Sequence, residues 1–183
     1  MRDGGMQSET EHLLSPRRIA ESDLVALSFE LRESGLGADA ASNLVGWLID
    51  EFALGRCASL ASVIAHRVGR EQFVAFERAD GRLAHAVVAC SPQDGTRLVG
   101  WAVDILGRRR LAEVAHEVES ISGPVTPRIG DPIGQAEMED AEAASLFALA
   151  AELPWLRAAM RMPLEAPDHG RLVEAARTLG FPG

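Results

Sequence analysis

The feature that most constrains this sequence is a block of three short apolar runs near its middle, each bounded by turn residues. The runs are Gln72–Glu77, Leu83–Cys90 and Arg97–Ile105, and they are rich in valine, alanine, leucine and phenylalanine. Asp80-Gly81 and Asp94-Gly95 separate them, and such dipeptides are typical of tight hairpin turns. The block therefore predicts a small antiparallel sheet.

Helical segments flank this block on both sides. Apolar residues recur there at helical spacing, and glycine and proline mark the ends of the segments. The third helix is apolar on several faces, so it should be largely buried. The order of elements predicts an α+β fold, with helices packed on a small antiparallel sheet. The predicted helices run from Ser22 to Ser34, Asp39 to Phe52, Cys57 to Val68, Arg108 to Ser120, Glu137 to Met160 and His169 to Leu179, with a loop from Gly123 to Gly134.

Length and composition favour one globular domain. The chain has 183 residues, of which 47% are hydrophobic and 25% charged, which is enough apolar material for one core. Residues 1–20 mix charges with glycine, serine and proline. We expect a disordered or loosely docked arm there and a single domain over residues 21–183.

The charge balance excludes several classes of partner. There are 18 basic and 27 acidic residues, giving a net charge of −9, and an acidic surface repels nucleic acid. No stretch has the length and apolarity of a membrane span or a secretory signal, so we expect a cytoplasmic location in the producing cell. The two cysteines lack metal-binding spacing and suggest free thiols. We expect that the protein uses no metal and no cofactor.

Cys57 occupies the position where a cysteine is most easily activated. It opens the buried helix directly after Gly55 and Arg56. Free N–H groups and the helix dipole favour a thiolate at a helix N-terminus, and an adjacent arginine adds positive charge. Glycine also leaves room beside the sulfur for a substrate. Cys90 has none of these features.

The second hairpin provides partners for this thiol. A two-residue turn at Asp94-Gly95 would place His85 directly opposite Asp104, with Cβ atoms roughly 4.5–5.5 Å apart. The carboxylate would then accept a hydrogen bond from one imidazole nitrogen, which leaves the other nitrogen for Cys57. Cys90 has the opposite strand parity and would point away.

Three segments in this order resemble the transglutaminase-like branch of the papain-like cysteine protease superfamily. They are Gly55-Arg56-Cys57-Ala58-Ser59-Leu60-Ala61, Ala84-His85-Ala86-Val87-Val88 and Trp101-Ala102-Val103-Asp104, and the resemblance covers residues 55–107. It implies a papain-like domain in which Cys57 is the nucleophile, His85 the general base and acid, and Asp104 the residue that orients the imidazole.

The implied activity is acyl transfer from an amide or ester of a protein or peptide substrate, by a peptidase, deamidase or transamidase. Some members of this branch are bacterial effector or toxin domains, which implies delivery into another cell by a non-classical route. Papain-like proteases carry a glutamine shortly before the cysteine, whereas this chain has Asp50, Glu51 and Phe52 there. The backbone N–H of Cys57 and the indole of Trp47 are the alternative donors to an oxyanion.

A second class of function stays open at this stage. Cysteine is often a buried packing residue, so the fold could serve as a non-enzymatic interaction module. The alanine- and leucine-rich segment over residues 141–160 offers a surface for a partner helix or for a second copy of the chain. The run Arg108-Arg109-Arg110 is expected to be the solvated start of a helix.

Overall fold

The computed structural model describes residues 17–68, 72–90, 93–94, 97–130, 140–160, 162 and 166–183. Its centre is a six-stranded antiparallel sheet with the strand order β1-β7-β6-β3-β2-β8, and β4 and β5 form a separate pair. The strands are β1 Arg17–Arg18, β2 Gln72–Arg78, β3 Leu83–Cys90, β4 Gln93–Asp94, β5 Arg97–Leu98, β6 Trp101–Asp104, β7 Gly107–Arg110 and β8 Val125–Gly130.

Helices cover both faces of this sheet, which confirms the expected α+β class. A π-helical turn over Glu51–Gly55 joins the second helix to the third. The third helix, Cys57–Val68, has the predicted bounds. The helices are α1 Glu21–Glu33, α2 Ala38–Asp50, α3 Cys57–Val68, α4 Leu111–Ser122, α5 Asp140–Glu152, α6 Pro154–Ala159 and α7 His169–Thr178.

Strand β3 lies between two apolar cores. Ala86 and Val88 belong to the larger core, which includes residues of α3 and α5, whereas Val87 and Ala89 belong to a smaller core with residues of α4. Successive side chains of a strand point to opposite faces, so both faces of β3 are covered. This explains why its sequence is a continuous apolar run instead of an alternating one.

The register of the second hairpin differs from the predicted one. Strands β3 and β6 pair Val88 with Val103 and Cys90 with Trp101, so His85 does not lie directly opposite Asp104. The predicted turn at Asp94-Gly95 is wrong because Asp94 is itself paired, with Arg97. The resulting shift is two residues. Because the side-chain period of a strand is two, an even shift keeps the same residues on the same face.

The arginine run is part of a strand, not the start of a helix. Gly107 has a φ of +97° and follows a tight turn after β6, a backbone conformation that strongly favours glycine. The chain then returns as β7, in which Arg109 pairs with Ala102 of β6. Arg109 is buried, with 6% of its surface exposed, so the predicted solvated position was wrong.

Both ends of the sheet include segments that the sequence did not indicate as strands. Arg17–Arg18, within the predicted arm, pair with β7, and residues 1–16 of that arm lie outside the described residues. Val125–Gly130, within the predicted loop, forms the edge strand β8 against β2. The rest of that loop, residues 131–134, also lies outside the described part of the chain.

The apolar residues of the tail are part of the larger core. Pro154 separates α5 from α6, as predicted. Leu146, Leu149, Leu153 and Leu156 are fully buried among residues of the other helices. These side chains, which suggested a docking surface, are therefore already packed within the chain. Among the described residues, no helix combines the length and apolarity needed to cross a bilayer.

Candidate active site

Cys57 is the first residue of α3 and is 5% exposed. The π-helical turn leads directly into it, and the Arg56 N–H donates to the Glu51 carbonyl at 2.6 Å. Helix α3 packs against β3, so the helix that begins at Cys57 and the strand that carries His85 are neighbours. The thiol thus lies at the N-terminus of a helix that packs against the strand of His85.

Arg56, the residue directly before Cys57, contacts three other parts of the chain. The Arg56 guanidinium lies 3.0 Å from a Glu51 carboxylate oxygen and 3.7 Å from Glu142, and it donates to the Leu179 carbonyl at 3.1 Å. Arg56 therefore ties the start of α3 to α5 and to the C-terminal segment. A Cβ at Gly55 would lie 3.8 Å from the Glu51 carboxylate, an ordinary contact, so close packing does not require glycine there.

His85 is buried on β3, where it lies opposite Phe76 of β2. Its Nε2 is 3.1 Å from Oδ2 of Asp104. Burial alone would lower the pKa of His85, but hydrogen bonds with Asp104 and Cys57, together with the charges of those two groups, raise it to about 9. His85 is therefore in contact with both partners that the sequence assigned to it.

Asp104 is the last residue of β6, it is buried, and both of its carboxylate oxygens accept hydrogen bonds. Its Oδ2 accepts from His85 and, at 2.6 Å, from Nη2 of Arg109. Its Oδ1 accepts from the Leu106 N–H at 2.9 Å. Burial would raise the pKa of Asp104, but the hydrogen bond from His85 and the charge of Arg109 outweigh burial and lower it. The group is therefore an ionised carboxylate at neutral pH.

Arg109 and Glu117 extend this arrangement to α4. Nη1 of Arg109 donates to Oε2 of Glu117, while Nη2 binds Asp104. Burial would lower the pKa of Arg109, but the two carboxylates more than offset burial and raise it above its usual range. Neither residue was expected at the site from the sequence. Gly107 could have indicated Arg109, because a hairpin turn at this glycine places Arg109 on the same face of the sheet as Asp104.

The structure brings Cys57, His85 and Asp104 together and leaves Cys90 apart. Cys90 is exposed at the end of β3, opposite Trp101. The Trp47 ring packs against Phe52 and Phe181, with ring centroids 5.8 and 5.7 Å away.

Comparison of the chain with protein-family models, with curated proteins and with solved structures found no match. The interpretation of the site therefore depends on its contacts and on general chemistry. A thiol, an imidazole and a carboxylate in sequential contact form the arrangement that generates a nucleophile and orients its base.

Proposed function

We propose that this chain is a thiol-dependent acyl-transfer enzyme that acts on an amide or ester bond, with Cys57, His85 and Asp104 as its triad. The observation that carries the proposal is the position of His85, which contacts the Cys57 thiol on one side and the Asp104 carboxylate on the other. The proposed fold relationship is to transglutaminase-like members of the papain-like superfamily.

Acylation follows from these contacts. Nε2 of His85 donates to Asp104, which leaves Nδ1 as the ring nitrogen available to the Cys57 sulfur. Because the pKa of His85 is raised to about 9, Nδ1 carries the proton of the Cys57–His85 pair at neutral pH, and the sulfur attacks the carbonyl carbon of the substrate to form a tetrahedral intermediate. The imidazolium then returns the proton to the leaving amine or alcohol as the carbon–heteroatom bond breaks. The product is a thioester on Cys57.

Deacylation uses the same histidine. Nδ1 accepts a proton from a water molecule or from an amine, whose oxygen or nitrogen attacks the thioester carbonyl. Collapse of the intermediate expels the sulfur, and the proton stays on Nδ1 in the regenerated Cys57–His85 pair. With water as the acceptor, the leaving group of the protein or peptide substrate decides between hydrolysis and deamidation, whereas an amine acceptor gives transamidation.

The polar groups of the site favour this proposal over a packing role for Cys57. A buried carboxylate and a buried guanidinium are each costly to remove from water, and apolar residues of similar volume would often be equally stable or more so. Asp104 and Arg109 are both buried here. A catalytic site accounts for this arrangement because it needs an ionised carboxylate behind its imidazole.

The proposal is tested with p-nitrophenyl acetate, an activated ester that reports acylation through the colour of its leaving group. We expect a burst of nitrophenolate and an acetyl group on Cys57 in intact-protein and peptide mass spectra. Cys57→Ser and His85→Ala should abolish the burst, and Cys90→Ser should retain it. Equal acetylation in the presence and absence of His85 would leave the non-enzymatic interaction module as the better interpretation.

A further inference from the structure

The charged groups that reach His85 form one continuous line across the face of the sheet that α4 covers. His85 donates to Asp104, Asp104 accepts from Arg109, and Arg109 donates to Glu117. The line passes from β3 through β6 and β7 to α4. The middle two members are buried, whereas the side chain of Glu117 is 32% exposed.

Arg109 presents its two terminal nitrogens to two different carboxylates. Nη2 binds the same Asp104 oxygen that accepts from His85, and Nη1 binds Glu117. Only a guanidinium donates in a fixed planar fork of this kind, whereas an ammonium acts as a point charge. Arg109 and His85 therefore share one oxygen of Asp104, and the positive charge that Arg109 presents to Asp104 depends on its pairing with Glu117.

We propose that Arg109 and Glu117 are positioning residues of the triad: Arg109 fixes the Asp104 carboxylate beside His85, and Glu117 holds Arg109 and offsets its charge. This inference rests on the proposed function, because positioning residues have a use only in a catalytic triad. The effect that it predicts on the pKa of His85 does not depend on catalysis. Glu117 thereby sets how strongly Asp104 supports the imidazolium, from a partly exposed position on α4 that is not itself part of the triad.

The order of the charges determines the direction in which the pKa of His85 should change when Glu117 loses its charge. Removing the negative charge of Glu117 leaves the positive charge of Arg109 less compensated, which disfavours a second cation at His85. On β2, the residue opposite His85 is the apolar Phe76 and adds no charge. Among the described residues, the titratable and charged groups linked to His85, directly or through a neighbour, include Cys57 of α3, Asp104 of β6, Arg109 of β7 and Glu117 of α4.

The test follows the titration of the His85 imidazole in the full chain by NMR. Glu117→Gln keeps the shape of the side chain and an acceptor oxygen for Arg109 but removes the charge. We expect the midpoint of His85 to fall by roughly half a pH unit or more. Glu119→Gln is the matched control, since it removes the same charge from an exposed position on the same helix and should leave the midpoint unchanged.

A double-mutant cycle tests whether Glu117 acts through Arg109. Arg109→Lys keeps a positive charge but loses the fork, so Glu117→Gln in that background should shift the His85 midpoint by less than about half as much as in the wild type. An unchanged midpoint in Glu117→Gln, an upward shift, or an equal shift in both backgrounds would overturn the proposal. These measurements need no substrate, so their outcome is independent of whether Cys57 forms an acyl-enzyme.

Discussion

His85 and Asp104 are hydrogen-bonded, with Nε2 and Oδ2 3.1 Å apart, although they are not opposite one another in the sheet. Continuing the observed register places Asp104 opposite Val87, two residues along β3 from His85. The two side chains meet diagonally on one face of the sheet, which long side chains can do. The contact therefore depends on strand parity and on the turn after Asp104, and each can be tested.

The charge of Asp104 should matter more than its shape. Asp104→Asn leaves the buried Arg109 without one of its two carboxylates, and breaking a buried ion pair from one side costs about 3–5 kcal/mol. Acylation of the ester probe should also slow by on the order of 10²–10⁴, because the amide cannot stabilise the imidazolium. Urea unfolding and burst kinetics measure the two effects.

Asp80→Asn is the control for Asp104→Asn. The Asp80 side chain is 55% exposed and pairs with an arginine that is 82% exposed, so its loss should change stability by less than about 0.5 kcal/mol. Equal effects of the two substitutions on the free energy of unfolding would contradict the buried network of His85, Asp104 and Arg109.

The stability of the fold should decline in alkaline solution. The pKa of His85 is raised from 6.5 to about 9, so the folded state binds a proton that the unfolded state has already lost between these values. The resulting stabilisation is complete below about pH 6.5 and disappears as the pH rises through about 9, and it amounts to at most about 3 kcal/mol. Urea unfolding at a series of pH values measures it.

His85→Gln is the comparison for this pH dependence. The amide does not titrate, so the decline between about pH 6.5 and 9 should be much smaller in the variant than in the wild type. A decline of the same size in both proteins would show that another group is responsible. Asp104 stabilises the fold in the opposite pH range. Its pKa is lowered, so its contribution to the free energy of unfolding is present above about pH 4 and is lost as the pH falls through its pKa in the folded state.

Gly107 should be needed for the turn that carries Arg109 back under α4. Its φ is +97°, so Gly107→Ala should destabilise the fold by about 1 kcal/mol or more. Gly46→Ala is a matched control with the opposite expected sign, because Gly46 lies within α2 and an added Cβ would meet no heavy atom of the described residues within 4 Å. That change should stabilise by about 0.5–1 kcal/mol. Thermal unfolding of both variants compares them directly.

The tail helices should behave as core and not as a docking surface. Leu149 is fully buried, so Leu149→Ala should cost about 2–5 kcal/mol. Ile121 is 70% exposed, and Ile121→Ala should change stability by less than about 0.5 kcal/mol. A near-neutral Leu149→Ala variant that also alters self-association in sedimentation would contradict the packing of α5.

Much of the fold could be predicted from local pattern. The bounds of α3 and β3 follow from apolar runs with clear turn residues on either side, and both were predicted correctly. Strand β7 was missed because three arginines have no apolar signal, and β8 was missed because an edge strand is mostly exposed. Neither pattern can be distinguished from a solvated helix or a loop without the neighbouring strands.

The candidate site was predictable to a similar degree. Cys57, His85 and Asp104 were selected from their order and from strand parity, and parity was insensitive to the two-residue error in register. Arg109 and Glu117 were missed because their contact requires the turn at Gly107 and the packing of α4, which bring together groups on different elements. Such tertiary contacts have no periodicity in the sequence.

The most direct test of the account is the alkylation of its two cysteines by iodoacetamide at about pH 6, followed by peptide mass spectrometry. Cys90 is exposed and Cys57 is buried, so accessibility alone would make Cys90 react faster. We predict the reverse, because the contact with His85 activates the Cys57 thiol as a nucleophile. His85→Ala should slow the reaction of Cys57 by on the order of tenfold or more and leave Cys90 unchanged. A Cys57 that reacts more slowly than Cys90, or at the same rate with and without His85, would contradict the proposed nucleophile.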